Sequence, residues 1–158
     1  MNDAKVYLLL GGLFGGDGIV DSRGMLDLGD QLKALGFPVT TFYWSDYEKV
    51  DQEPLAGKRI VIGFSGGGSR ATWLIRHIDL MVLYDPSPAW QMKPCGKNVA
   101  KAISYHNTAP MMGNLGGGVL TGPQVTSIDI AEPHLEVQHD AALHKRTIEA
   151  CEALIKDG

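Results

Sequence analysis

Residues 63–67 read Gly-Phe-Ser-Gly-Gly, a G-x-S-x-G pattern that follows the apolar run KRIVIGF and precedes a stretch able to start a helix. A strand that ends in Ser65 and turns tightly into a helix pushes the hydroxyl out at the carboxyl end of a sheet. Bulky side chains two residues before or after the serine would collide, so Gly63 and Gly67 suit that turn. A phosphate-binding loop is the competing use of such glycines. It would need a G-K-[ST] ending or a second glycine in G-x-G-x-x-G, and this stretch has neither. Ser65 is therefore read as a candidate nucleophile.

A serine hydroxyl near neutral pH needs a base to take its proton and a third group to orient that base. Asp85 follows directly on the apolar run LMVLY, which places it at the same end of the sheet. Asp17 and Asp21, in the first glycine loop, read as solvated or capping residues. Among the histidines, His134 follows the last strand-like run in IDIAEPHLEV, and His139 lies five residues later. His134 is favoured as base because it is nearer the strand end; His77, His106 and His144 fall in a helix, a loop start and the last helix. The chain order is Ser…Asp…His.

Acyl transfer builds negative charge on a carbonyl oxygen, and backbone N–H groups must point at it. Gly66, next to the serine, can supply one. The glycine-rich run GGLFGGDG after the first strand can supply another, from Leu13 or alternatively Phe14. Phe14, Trp90 and Met111, with Leu13, Met92 and Met112, lie on loops at this end and could form an apolar acyl pocket or pack the core.

The elements that must hold these residues are short. Strands are expected at 5–10, 37–44, 58–64, 80–84, 99–105 and 124–130. Helices are expected near 22–36, where Met25, Leu28, Leu32 and Leu35 share a face, at 66–77, and at 139–156. Residues 45–54 suggest one or two helical turns before Pro54. Strands alternate with helices and several are apolar on both faces, which indicates a three-layer α/β/α sandwich with a mostly parallel sheet of about six strands. The connection 106–123 lacks a helix signal, so the last two strands could pair parallel or antiparallel. With 158 residues, no repeat and no linker, one domain is expected over 1–158.

The net charge is −4 with no basic block, which argues against a nucleic-acid partner. The apolar run at the N-terminus is too short for a membrane span, and no signal peptide is visible, so a cytoplasmic location is expected. Cys95 and Cys151 have no metal-ligand spacing and read as idle thiols. No metal or organic cofactor is implied, and the oligomeric state is not readable.

The segments VYLLLGGLFGG, VIGFSGGGSRATWL, LMVLYDPSP and IDIAEPHLEV, spread over nearly the whole chain, resemble those of the α/β-hydrolase family. The resemblance implies a minimal, cap-less hydrolase fold. It implies Ser65 as nucleophile, His134 as general base then acid, Asp85 as orienting carboxylate, and Leu13 and Gly66 as the oxyanion hole. Three features depart from the usual pattern. Gly11-Gly12 stands where many members carry His-Gly. The chain is short. The acid sits one strand earlier than in most members, which place it near SYHNTAP, where this chain has only Asn107. The expected function is hydrolysis of a small carboxylic ester or thioester through an acyl-enzyme, with a histidine base that should lose activity below about pH 6.5. A peptidase or amidase on the same triad, a non-catalytic binding module and a phosphate-binding protein using Arg70 are the rivals.

Overall fold

Six strands form one sheet in the order β2-β1-β3-β4-β5-β6: β1 (Ala4–Leu10), β2 (Val39–Tyr43), β3 (Lys58–Phe64), β4 (Leu80–Tyr84), β5 (Ala102–Asn107) and β6 (Val125–Ile130). The structure is a computed structural model, which describes residues 3–12, 22–54, 56–108 and 115–157. All five strand pairings are parallel, with Leu8 opposite Ile62 and Ile62 opposite Val82 in the centre. The pairing of the last two strands, open from sequence, is parallel: Tyr105 lies opposite Ile128 and Asn107 opposite Ile130.

The apolar runs become central strands because both of their faces are covered. On one face Val6, Leu8 and Leu10 of β1 and Ile60 and Ile62 of β3 pack with Met25, Leu28 and Leu32 of α1 (Arg23–Ala34). Leu143 and Cys151 of α4 (Ala141–Lys156) join that cluster. On the other face Tyr7, Leu9, Val61, Met81 and Leu83 pack with Val50 of α2 (Glu48–Gln52) and Ala71 of α3 (Gly66–Ala71). Leu74, Ile78, Val99 and Leu120, from segments without helix, complete it. Helix α4 is pinned beneath the sheet by the buried Tyr84 hydroxyl, which lies 2.6 Å from Thr147 Oγ1 and donates to the Leu143 carbonyl at 3.1 Å. At its start the Asp140 carboxylate accepts the amides of Ala142 and Leu143, so the helix begins at Ala141 rather than at 139.

Other expected elements shift as well, and β2, expected from 37 to 44, spans Val39–Tyr43. The helix expected over 66–77 ends at Ala71, and Ile75 is 79% exposed. The amides of Ile75 and Arg76 are taken by the Asp51 carboxylate at 3.0 and 3.1 Å. The carbonyls of Leu74 and Arg76 are taken by the Asn98 side chain at 3.0 and 2.8 Å, so backbone groups that would extend the helix are used elsewhere. His77 accordingly lies beyond α3, 3.3 Å from Asp79. Strand β5 begins later than expected, at Ala102; Val99 makes only an isolated bridge to Ile78. Helix α1 stops at Ala34, so Leu35 lies outside the buried stripe at 47% exposure, and Gly36 follows with φ 88°.

Strand order reverses between β1 and β3: the chain leaves β1 towards β2 on one side and returns to β3 on the other. In parallel sheets the crevice beyond the carboxyl ends of the strands at such a reversal is where ligands bind. Here that crevice lies between Gly11-Gly12, after β1, and Ser65, after β3. Among the described residues no helix is long and apolar enough to cross a membrane.

Candidate active site

Ser65 joins β3 to α3 with φ 54° and ψ −122°, a conformation that costs a non-glycine residue energy and persists only when its surroundings enforce it. The enforcing bonds are visible. The Ser65 amide donates to the Tyr84 carbonyl at 3.1 Å. The Ser65 carbonyl accepts the amides of Ser69 and Ser87 at 3.1 and 3.2 Å. The buried Ser69 hydroxyl reaches the carbonyls of Ser65 at 3.3 Å and Ser87 at 2.5 Å, tying β3 to the segment after β4. The glycines meet the expected steric demand. A Cβ at Gly63 would lie 2.7 Å from the Gly68 Cα, and one at Gly67 would run into the Leu9 carbonyl.

The structure brings Ser65, His134 and Asp85 into one hydrogen-bonded line. His134 Nε2 lies 2.8 Å from Ser65 Oγ, and His134 Nδ1 lies 2.6 Å from Asp85 Oδ2. Asp85 directly follows β4, fully buried, with φ 45°. Its Oδ1 accepts the amides of Asn107 at 2.8 Å and Gly117 at 2.7 Å. Burial by itself would raise the Asp85 pKa, but the hydrogen bonds from His134, Asn107 and Gly117 outweigh it and hold the carboxyl below its ordinary value. Asp85 is thus an ionised carboxylate with every oxygen occupied, and one oxygen fixes the orientation of the imidazole. Phe64 stacks on His134 at 5.2 Å between ring centroids, which limits its rotation from the other side.

Gly66 opens α3, so its amide is among those a helix leaves without an intrahelical partner. At six residues, α3 carries little macrodipole, and what it offers the site is local N–H donors rather than the helix field expected of a longer element. Gly11 runs against the serine: a Cβ there would meet Ser65 Cβ and the Phe64 carbonyl at 2.8 Å. The Gly11 carbonyl is held at 3.0 Å by the Ser22 hydroxyl, which makes this bond instead of capping α1. Leu13, Phe14, Asp17, Asp21, Met111 and Met112 lie outside the described residues.

Trp90 sits beside Gly66, its Nε1 3.1 Å from where a Gly66 Cβ would be. Its ring lies 4.4 Å from that of Trp44, centroid to centroid. Met92 lines a neighbouring cleft of about 300 Å³ with Pro88, Lys93 and Gly117. His139 is not at the site; it lies exposed in the 3-10 turn Val137–His139. His106 pairs with Asp129 at 2.7 Å, and buried His144 has its pKa lowered by desolvation and bonds the Gln138 carbonyl. Both cysteines are free, and burial pushes the Cys151 thiol up to about 12, far from reactivity. Among the described residues no group of three side chains could hold a metal ion.

Sequence reasoning passed over Asn107, Gly116 and Gly117 as parts of the site. Asn107 and Gly117 act through backbone amides, which carry no residue signature. Gly116 is a glycine because any side chain there would strike Asp85 Oδ2 and His134 Nδ1. The length and glycine content of the 106–123 loop were the available signal.

No family model matches the sequence, and no curated protein matches it at a significant level. Solved structures do. A provisionally assigned YdeN-like hydrolase from Pectobacterium atrosepticum SCRI1043 aligns with a TM-score of 0.59 at 15% identity, over 96% of this chain and 93% of that one. A provisionally assigned hydrolase of the alpha/beta superfamily from Xanthomonas campestris pv. campestris aligns with a TM-score of 0.60 at 12% identity, over 94% of this chain and 99% of that one. The fold is that of the α/β-hydrolases, in a small form with one six-stranded parallel sheet.

Proposed function

We propose that the protein is a serine hydrolase that cleaves a carboxylic ester or thioester through an acyl-enzyme on Ser65. The single observation that carries this reading is the unbroken line from Asp85 through His134 to Ser65, with contacts of 2.6 and 2.8 Å. A core histidine needs no strained serine at one ring nitrogen and a fully buried carboxylate at the other.

In this reading Ser65 Oγ attacks the carbonyl carbon while His134 Nε2 takes its proton. Asp85 holds Nδ1 protonated, keeping Nε2 free as acceptor, and stabilises the imidazolium that forms. The Gly66 amide, with the Leu13 amide from the first glycine loop, holds the carbonyl oxygen as it gains charge. The imidazolium returns its proton to the leaving alkoxide or thiolate as the bond to it breaks. Water then attacks the acyl-enzyme with His134 again as base, releasing the acid and restoring Ser65. Every step uses side chains and amides of this chain, and none calls for a metal or organic cofactor. A small acyl substrate is the partner; Phe14, Trp90 and Met111 would line its path.

The test is turnover of matched substrates: p-nitrophenyl acetate and butyrate against the corresponding p-nitroanilides. Ester hydrolysis with no detectable anilide cleavage is the expected result. Anilide cleavage at comparable kcat/KM would replace the esterase reading by an amidase on the same residues.

A further inference from the structure

We propose that the Trp90 indole N–H donates a hydrogen bond to the carbonyl oxygen of the ester or thioester held at Ser65, making Trp90 a catalytic residue beside the Gly66 amide. The inference rests on the serine-hydrolase reading and adds to it a side-chain donor that no backbone pattern would announce.

The first observation is position. Trp90 Nε1 lies 3.1 Å from the place of a Gly66 Cβ, nearer than any other ring atom. Standard bond lengths then bound its separation from the Gly66 nitrogen at about 5.5 Å. Two donors within about 5.8 Å can share one acceptor at ordinary hydrogen-bond length. The second is an unused donor. Buried tryptophan N–H groups usually find a protein partner, and the part-buried Trp73 has one in the Gln91 carbonyl at 2.9 Å. Trp90 Nε1 bonds no described residue and is not among the buried unpartnered atoms, so its N–H remains accessible while its ring is packed on Trp44.

The third is strain. Three non-glycine residues among those described have positive φ: Ser65, Asp85 and Gln91. The first two belong to the line of residues that performs the proposed chemistry. The third directly follows Trp90, in a left-handed conformation at φ 55° and ψ 49° that ends the 3-10 turn Pro88–Trp90. That turn is held at both ends. The Ser87 amide donates to the Ser65 carbonyl at 3.2 Å, and the Gln91 amide and carbonyl bond Pro88 and Trp73. Strain of this kind persists where the surroundings over-determine it, and it clusters at working sites. Here it fixes the backbone that carries Trp90, whose ring packs on Trp44 with its indole nitrogen beside Gly66.

When Oγ bonds to the carbonyl carbon, the C=O π pair moves onto oxygen. A second or third fixed donor there strengthens as the charge grows and relaxes when the C=O bond re-forms on expulsion of the leaving group. The donor is therefore expected to act on kcat rather than on KM.

The experiment compares wild type, Trp90→Phe and a protein carrying 3-benzothienylalanine at position 90, which keeps the bicyclic ring and replaces N–H by sulfur. Steady-state hydrolysis of p-nitrophenyl acetate is measured for each, with melting temperature as the check on folding. Both variants are expected to lose kcat by about tenfold or more with KM little changed. Wild-type kcat in the benzothienyl protein, or a loss confined to KM, would overturn the proposal. Should Trp90→Phe fail to fold, the near-isosteric variant still decides. Labelling of wild-type Ser65 by a fluorophosphonate separates the two levels: its presence with unchanged kcat in the variants sinks only the Trp90 role, whereas its absence sinks the hydrolase reading beneath it.

Discussion

Replacing His134 by alanine is expected to lower kcat/KM for p-nitrophenyl acetate by on the order of 10⁴- to 10⁶-fold, the range seen when one member of a cooperating nucleophile–base pair is removed. The reasoning is local. Ser65 Oγ has His134 Nε2 as its partner at 2.8 Å, and the nearby hydroxyls of Ser69 and Thr72 are engaged with backbone carbonyls. Without the imidazole, nothing described in the crevice can accept the serine proton or return it to the leaving group. The side chain of His134 is only 13% exposed, yet it lies at the mouth of the sheet rather than in either apolar cluster, so the fold should survive its loss. Residual turnover within tenfold of wild type in a folded variant would remove histidine from the mechanism.

Replacing Asp85 by asparagine is expected to cost about 10³- to 10⁴-fold in kcat while leaving the backbone in place. The amides of Asn107 and Gly117 both donate to Oδ1, so the amide oxygen of the new side chain would take that position. Its NH₂ group would then face His134 Nδ1, where Oδ2 stands at 2.6 Å. A donor there favours the tautomer with Nδ1 unprotonated and Nε2 carrying the proton, which cannot accept from Ser65. The same substitution changes stability against pH. Because the folded-state pKa of Asp85 is lowered, folding gains from its ionised form above the ordinary carboxylate pKa of about 3.9. That gain is lost as pH falls from there through the folded value, where the native carboxylate is protonated. Melting temperature followed from pH 6 down to pH 2 should therefore fall less steeply in the variant. Identical acid limbs in the two proteins would show that Asp85 carries no such linkage.

The strands were readable because they are central: β3 and β4 are apolar on both faces and stopped by Ser65 and Asp85, so their bounds in sequence and structure coincide. The candidate site was readable for the same reason, since Ser65, Asp85 and His134 each stand just beyond a strand whose end can be seen. What could not be read is whatever depends on partners far away in sequence. Helix α3 is cut short by Asp51 and Asn98, which lie 22 to 25 residues in sequence from the backbone groups they bind and carry no local signal. Strand β5 slides along its own sequence because Val99 is drawn to Ile78, leaving His106 and Asn107 inside the sheet. The support of Asp85 by the Asn107 and Gly117 amides is invisible in residue type. The glycine at 116 was visible, but the reason for it, the closeness of Asp85 and His134, exists only in three dimensions.

The central claim is that this geometry activates Ser65, and intact mass after exposure to a fluorophosphonate tests it most directly. Wild type and Ser65→Ala would be treated side by side, each first shown to be folded. The account predicts one covalent adduct on wild type and none on Ser65→Ala. An unmodified wild-type protein, or an adduct that persists in Ser65→Ala, would contradict it.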